Sequence, residues 1–101
     1  MRKDPFHFGQ WLVRPLANCI EQTGETRQME PRAMDVLLAL CTANGDVVSA
    51  DQLLTRCWGT NVYGDNPVHK TIAQLRRLLG DVANTPVYIE TIRKRGYRTP
   101  R

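Results

Sequence analysis

The sequence predicts an α+β domain: a four-stranded antiparallel N-terminal sheet, three helices, then a C-terminal β-hairpin. Three observations predict it. Turn formers cut the first thirty residues into short extended pieces; apolar stripes at helical period recur between 31 and 79; and two extended pieces at 87–99 flank a basic, glycine-containing tip. A length of 101 residues suits one domain, taken as 1–101, and 42% apolar content is enough for a core.

The sheet, at 6–29, is expected from FHF, WLV, NCIE and TRQM. Gly9-Gln10, Pro15 through Asn18, and Gln22-Thr23-Gly24-Glu25 separate these pieces. Helices then fill 31–79. Pro31 fits a first helical turn, and Met34, Leu37, Leu38 and Cys41 follow at i, i+3, i+4, i+7. Asn44-Gly45 ends this first helix, about 31–44, with Gly45 as a left-handed cap.

Val47-Val48 makes a short extended link. Ser49 and Gln52 form the S-x-x-Q pattern of a capping box, opening a second helix at about 50–58. Its expected buried face holds Leu53, Leu54, Cys57 and Trp58, and Gly59 stops it. After the loop GTNVYGDN, Asn66 can cap and Pro67 can start a third helix at about 67–79.

Val68, Ile72, Leu75 and Leu79 form one narrow stripe on that helix. Opposite lie Asn66, Lys70, Ala73, Gln74 and Arg77, with His69 and Arg76 on one flank and Thr71 on the other. No carboxylate lies between Val68 and Gly80. Gly80-Asp81 closes the helix, a polar loop follows, and 87–99 reads as a hairpin tipped by Arg93, Lys94 and Arg95, with Gly96 allowing the tight turn.

The charge distribution points to a polyanion. Residues 1–50 carry five Lys/Arg and six Asp/Glu, a net −1, whereas 51–101 carry nine and four, a net +5. A carboxylate-free helix showing amides, hydroxyls and cations suits the major groove of double-stranded DNA, and a cationic hairpin beside it can reach phosphates or the minor groove. Seven cations, Lys70, Arg76, Arg77, Arg93, Lys94, Arg95 and Arg98, would make affinity fall steeply with salt.

Other classes find little support. No apolar run approaches a membrane span of about 20 residues, and the start MRKDPFHFGQ lacks a secretory apolar stretch. Three cysteines without a C-x-x-C pair suggest neither zinc nor a redox motif, and Cys41 and Cys57 are expected as buried hydrophobes. His69 has no second His, Cys or carboxylate at i+3 or i+4, so no metal is expected. Cys57 with His69 lacks a third orienting group, and no phosphate-binding glycine loop is present; neither an enzyme nor a cofactor is expected.

Trp11 and Trp58 are expected in the core rather than as stacking platforms, and Tyr97 beneath the hairpin, fixing it against the third helix. Tyr63 is left two roles, loop anchor or partner contact. A protein-docking module without DNA binding is the rival reading; it needs an apolar patch outside the core stripes.

Three helices followed by a hairpin is the order of a winged helix-turn-helix. WGTNVYGDNPVHKTIAQLRRLL, from Trp58 to Leu79, and VYIETIRKRGYR, from Val87 to Arg98, resemble the effector domain of OmpR/PhoB-type bacterial response regulators. GQWLVRP and MEPRAMDVLLAL are similar to the same family's N-terminal sheet and first helix, so the likeness spans nearly the whole chain. K-R-G-Y preceded by V-Y-I-E-T most resembles the CadC/ToxR-like branch, where this domain opens a membrane-anchored one-component sensor. The chain begins almost directly at the first strand, which agrees with that arrangement and would make the domain cytoplasmic.

The resemblance implies base reading by Asn66, His69, Lys70, Thr71 and Gln74, and phosphate contact by Arg76, with Arg77 nearby. It implies wing contacts by Arg93, Lys94, Arg95 and Arg98, and contact with RNA polymerase by the loop holding Thr60, Asn61, Val62 and Tyr63. Pairing of two copies on repeated half-sites is implied as well. Ala73 and Gln74 stand where receiver-linked members often carry arginines, so fewer guanine contacts are expected and no relative's base preference can be copied.

Overall fold

The computed structural model describes residues 3–81 and 86–100; the expected polar loop at 82–85 and the outermost ends of the 1–101 domain lie outside them. Four strands, β1 (Phe6–Phe8), β2 (Trp11–Arg14), β3 (Cys19–Gln22) and β4 (Glu25–Gln28), form an antiparallel sheet in chain order. Pairing of Phe6 with Val13, Val13 with Ile20 and Ile20 with Arg27 sets these four in one row across the sheet. Val13 and Ile20 are fully buried, whereas His7 and Thr26, on the alternate row, are exposed. This alternation gives the sheet one face for the core and one for solvent.

Helix α1 (Pro31–Thr42) is buried more widely than its four-residue stripe suggested: Ala33, Val36, Ala39 and Leu40 join Met34, Leu37 and Leu38. It packs against both α2 (Ala50–Trp58) and α3 (Asn66–Leu79), so it has two apolar faces. Cys41, expected inside, is only partly buried, because it sits in the last turn. The helix ends at Thr42, slightly early, and the left-handed conformation is shared by Asn44 and Gly45.

The expected capping box of α2 is present: the Ser49 hydroxyl accepts from the Gln52 N–H at 3.0 Å, and the Ser49 N–H donates to Gln52 Oε1 at 2.9 Å. Leu53, Leu54 and Cys57 are buried, while Trp58 is half-buried under the Arg32 guanidinium, 5.3 Å from its ring centroid. Arg32 also donates to the Cys57 carbonyl, placing a cation at the C-terminal end of α2.

The hairpin consists of β5 (Glu90–Ile92) and β6 (Gly96–Arg98). Its turn is made by Lys94, whose φ is +64°, rather than by Gly96. Gly96 serves another need: a Cβ there would stand 2.1 Å from the Val48 carbonyl oxygen. Val48 and Tyr97 exchange two backbone hydrogen bonds, of 2.8 and 2.9 Å. The link before α2 thus acts as a one-residue third strand and ties the wing to the helices.

Candidate nucleic-acid interface

Helix α3 carries the candidate surface. Its buried side holds Val68, Thr71, Ile72, Leu75 and Leu79. Thr71 is therefore a correction: at 9% exposure it widens the core stripe and is withdrawn from base contact. One turn before Leu75 on the same flank, it is covered by packing that the four-residue stripe did not reach. Asn66 is also corrected: it is the first helical residue, not the cap, and Asp65 holds the cap position without a side-chain bond.

Asn66, His69, Lys70, Ala73 and Arg77 are exposed, and Gln74 is half-buried. These residues come to one open face, as the period required. Among the described residues no side-chain hydrogen bond or ion pair involves Asn66, Lys70, Gln74 or Arg77.

The C-terminal end of α3 is fixed from outside. The Trp11 indole, 3% exposed, donates Nε1–H to the Leu79 carbonyl at 3.1 Å. Arg27 lies over the same indole, 5.1 Å from its centroid, and donates to the Leu78 carbonyl at 2.6 Å. Two sheet residues thus satisfy carbonyls that the helix end leaves orphaned. Trp11 is a core residue, as expected, and its hydrogen bond to the end of α3 adds a clamp that the sequence did not show.

The wing is hinged to α3 at three places. Arg76 Nε and Nη2 donate to the Ile89 carbonyl at 3.2 and 3.0 Å, and Nη2 also reaches Thr91 Oγ1 at 2.7 Å. The Asp81 carboxylate accepts from the backbone N–H groups of Val87, Tyr88 and Ile89 at 2.8–3.1 Å. The Tyr97 phenol, on a residue only 6% exposed, bonds His69 Nδ1. Burial pushes that phenol above its ordinary pKa.

At the tip, Arg93, Lys94 and Arg95 are exposed, and no hydrogen bond or ion pair of their side chains occurs among the described residues. Arg98 differs. Its Nη2 meets the Glu90 carboxylate at 3.3 Å, and Nε is buried without a partner among the described residues. Arg76, expected on phosphate, and Arg98, expected as a wing contact, thus already have partners within the chain. Their strand and helix positions face neighbouring polar groups that sequence spacing could not reveal.

A cleft of about 310 Å³ opens between the α2 start, the α3 start and the wing turn. Asp51, Asp65 and His69 line it together with Lys94 and Arg95. The acid-free helix is therefore flanked at one end by two carboxylates from neighbouring segments. Sequence reading missed these two, and also Asp81, read there only as the residue closing the helix. In the preceding loop, Thr60 and Asn61 are exposed, and Val62 packs against the core. Tyr63 is 87% exposed, which removes its loop-anchor alternative.

Burial raises the Cys57 thiol, the opposite of what a nucleophile needs. No helix among the described residues is long and apolar enough to cross a membrane.

The family described as "Transcriptional regulatory protein, C terminal" matches residues 24–99. The chain belongs to this family. Within it, the chain is 35% identical over 99 residues to the transcriptional activator CadC of Escherichia coli, covering 97% of the chain and 19% of that protein. It is 32% identical over 96 residues to the transcriptional regulatory protein AfsQ1 of Streptomyces coelicolor, covering 94% of the chain and 43% of that protein. The chain thus spans less than half the length of these relatives.

Among solved structures, the DNA-binding domain of E. coli CadC superposes with a TM-score of 0.82 at 33% identity, covering 97% of this chain and 94% of that one. The Klebsiella pneumoniae RstA DNA-binding domain, solved in complex with the RstA box, gives 0.84 at 28% identity, covering 96% and 97%. The fold is the winged helix-turn-helix expected from element order, of OmpR/PhoB type.

Proposed function

We propose that this chain is the sequence-specific, double-stranded-DNA-binding module of a bacterial transcription regulator. One observation carries the reading: the exposed, carboxylate-free face of α3 and the exposed cations of the wing tip belong to one hinged unit, joined through Arg76, Asp81 and Tyr97. A helix of this kind fits the major groove, and the wing then reaches the adjacent backbone or minor groove. The RstA domain's complex with its box supports the reading by likeness.

In this proposal Asn66, His69, Lys70 and Gln74 read base edges. Arg77, Arg93, Lys94 and Arg95 meet phosphates, while Arg76 and Arg98 hold the wing in place. Thr60, Asn61 and Tyr63 offer a contact to RNA polymerase, and two copies occupy repeated half-sites in the cytoplasm. The reading assigns no catalytic step. The protein-docking rival gains no specific support: among the described residues the large exposed apolar ones, Leu16, Val47, Tyr63 and Val87, are single residues on four different connections.

The test is selection from a pool of random duplexes, followed by fluorescence anisotropy on a selected and a scrambled duplex across a salt series. Preference for the selected duplex and a steep fall with salt are expected. Equal retention of both, or a salt-insensitive signal, would reject the proposal.

A further inference from the structure

The His69–Tyr97 contact does more than brace the wing. The imidazole belongs to an exposed residue on the outward face of α3, and the phenol to a buried residue of β6. Their rings meet edge-on, with centroids 6.1 Å apart and planes at 68°. A neutral phenol carries one proton, and among the described residues the Tyr97 hydroxyl has a single side-chain partner, His69 Nδ1. If Nδ1 were the protonated nitrogen, it would donate to the phenol oxygen, and the hydroxyl proton of this largely buried residue would have no side-chain acceptor among the described residues. Buried polar hydrogens are rarely left so. Donation from the phenol to the Nδ1 lone pair satisfies both groups. It also leaves the single imidazole proton on Nε2, at the opposite edge of an exposed ring.

We propose that Tyr97 is a positioning residue for His69: its phenol fixes the imidazole as the Nε2–H tautomer and makes it a hydrogen-bond donor to a purine N7 in the major groove. The second half rests on the DNA-binding reading given above; the first half does not. N7 is the acceptor that guanine and adenine share on that edge. A donor of fixed orientation can therefore separate purine from pyrimidine at one position without separating the two purines by this bond. The pairing of the two was not legible in chain order, since 28 positions separate them.

The experiment has two arms. In the first, the 101-residue chain is labelled with ¹⁵N at histidine, and long-range ¹H–¹⁵N spectra are recorded at a pH where His69 is neutral. The Nε2–H pattern is expected for the native chain, with a mixed-tautomer pattern in Tyr97→Phe. An Nδ1–H pattern in the native chain would overturn the proposal.

In the second arm, each purine of a selected duplex is replaced singly by its 7-deaza analogue. One replacement should weaken native binding about tenfold, the worth of one good base contact. The same replacement should cost twofold or less in Tyr97→Phe and in His69→Ala. Phe keeps the buried ring, and His69→Ala gives the same readout from an exposed helix position without altering the wing strands. Equal losses in native and variant chains, or no sensitive purine, would overturn the N7 contact. A chain that selects no duplex at all would sink the DNA-binding reading and the N7 contact with it, leaving the tautomer to be judged on the spectra alone.

Discussion

A methyl group at position 96 would stand 2.1 Å from the Val48 carbonyl oxygen and 2.7 Å from the Ser49 Cα, with the backbone at a φ of +146°. Backbone cannot swing aside as a flexible side chain would. Gly96→Ala should therefore cost about 2 kcal/mol or more, from overpacking and strain combined. A melting temperature lower by roughly 8 °C or more would register it in a domain of this size; an unchanged melt would refute the packing argument. Chain order shows a glycine after a basic run, and the turn is its natural explanation. The close approach becomes visible only once Val48 is beside it. Thr71 teaches the same lesson: the spacing of Val68, Ile72, Leu75 and Leu79 defines a stripe's centre but not its width. Outward residues divide by role. Arg95→Ala should weaken selected and scrambled duplexes alike and lower the salt slope by about one unit. Gln74→Ala should instead change discrimination by about 1–3 kcal/mol at one base position. Identical behaviour of the two variants on both duplexes would erase that division of labour.

At the scale of elements, the helices were legible because each has its own period and its own punctuation. Pro31, the Ser49–Gln52 box and Gly59 mark boundaries through local backbone chemistry, which needs no knowledge of the fold. Apart from the expected seat of Tyr97 between the wing and α3, how the elements join was not legible, because the joints use polar atoms distant in sequence. The entry of β5 shows this best. Three consecutive N–H groups, of Val87, Tyr88 and Ile89, converge on the Asp81 carboxylate. Asp81→Ala leaves donors on a partly buried segment without this acceptor, at a cost of about 1–3 kcal/mol. Because these donors set the approach of the wing to α3, DNA affinity should fall along with stability. Chemical denaturation and anisotropy on the selected duplex measure the two. A variant that melts earlier yet binds as tightly would show that wing placement does not depend on this clasp.

For the whole molecule, the second-half excess of charge was readable, but how many cations are available was not. Seven cations were expected outward; Arg76 and Arg98 are engaged by Ile89, Thr91 and Glu90. Lys70, Arg77, Arg93, Lys94 and Arg95 remain exposed on α3 and the wing tip. If each neutralises one phosphate, the slope of log affinity against log salt should be about −4 to −5 rather than about −6. In the proposed arrangement the solvent face of the four-stranded sheet, with His7 and Thr26 exposed, lies away from the duplex.

Backbone amide chemical-shift mapping of the ¹⁵N-labelled chain, titrated with a selected duplex, tests this arrangement most directly. Shifts concentrated at Asn66–Arg77 and at Arg93–Arg95, with β1–β4 nearly silent, are the expected result. Shifts centred on the sheet, with α3 and the wing tip unmoved, would contradict it.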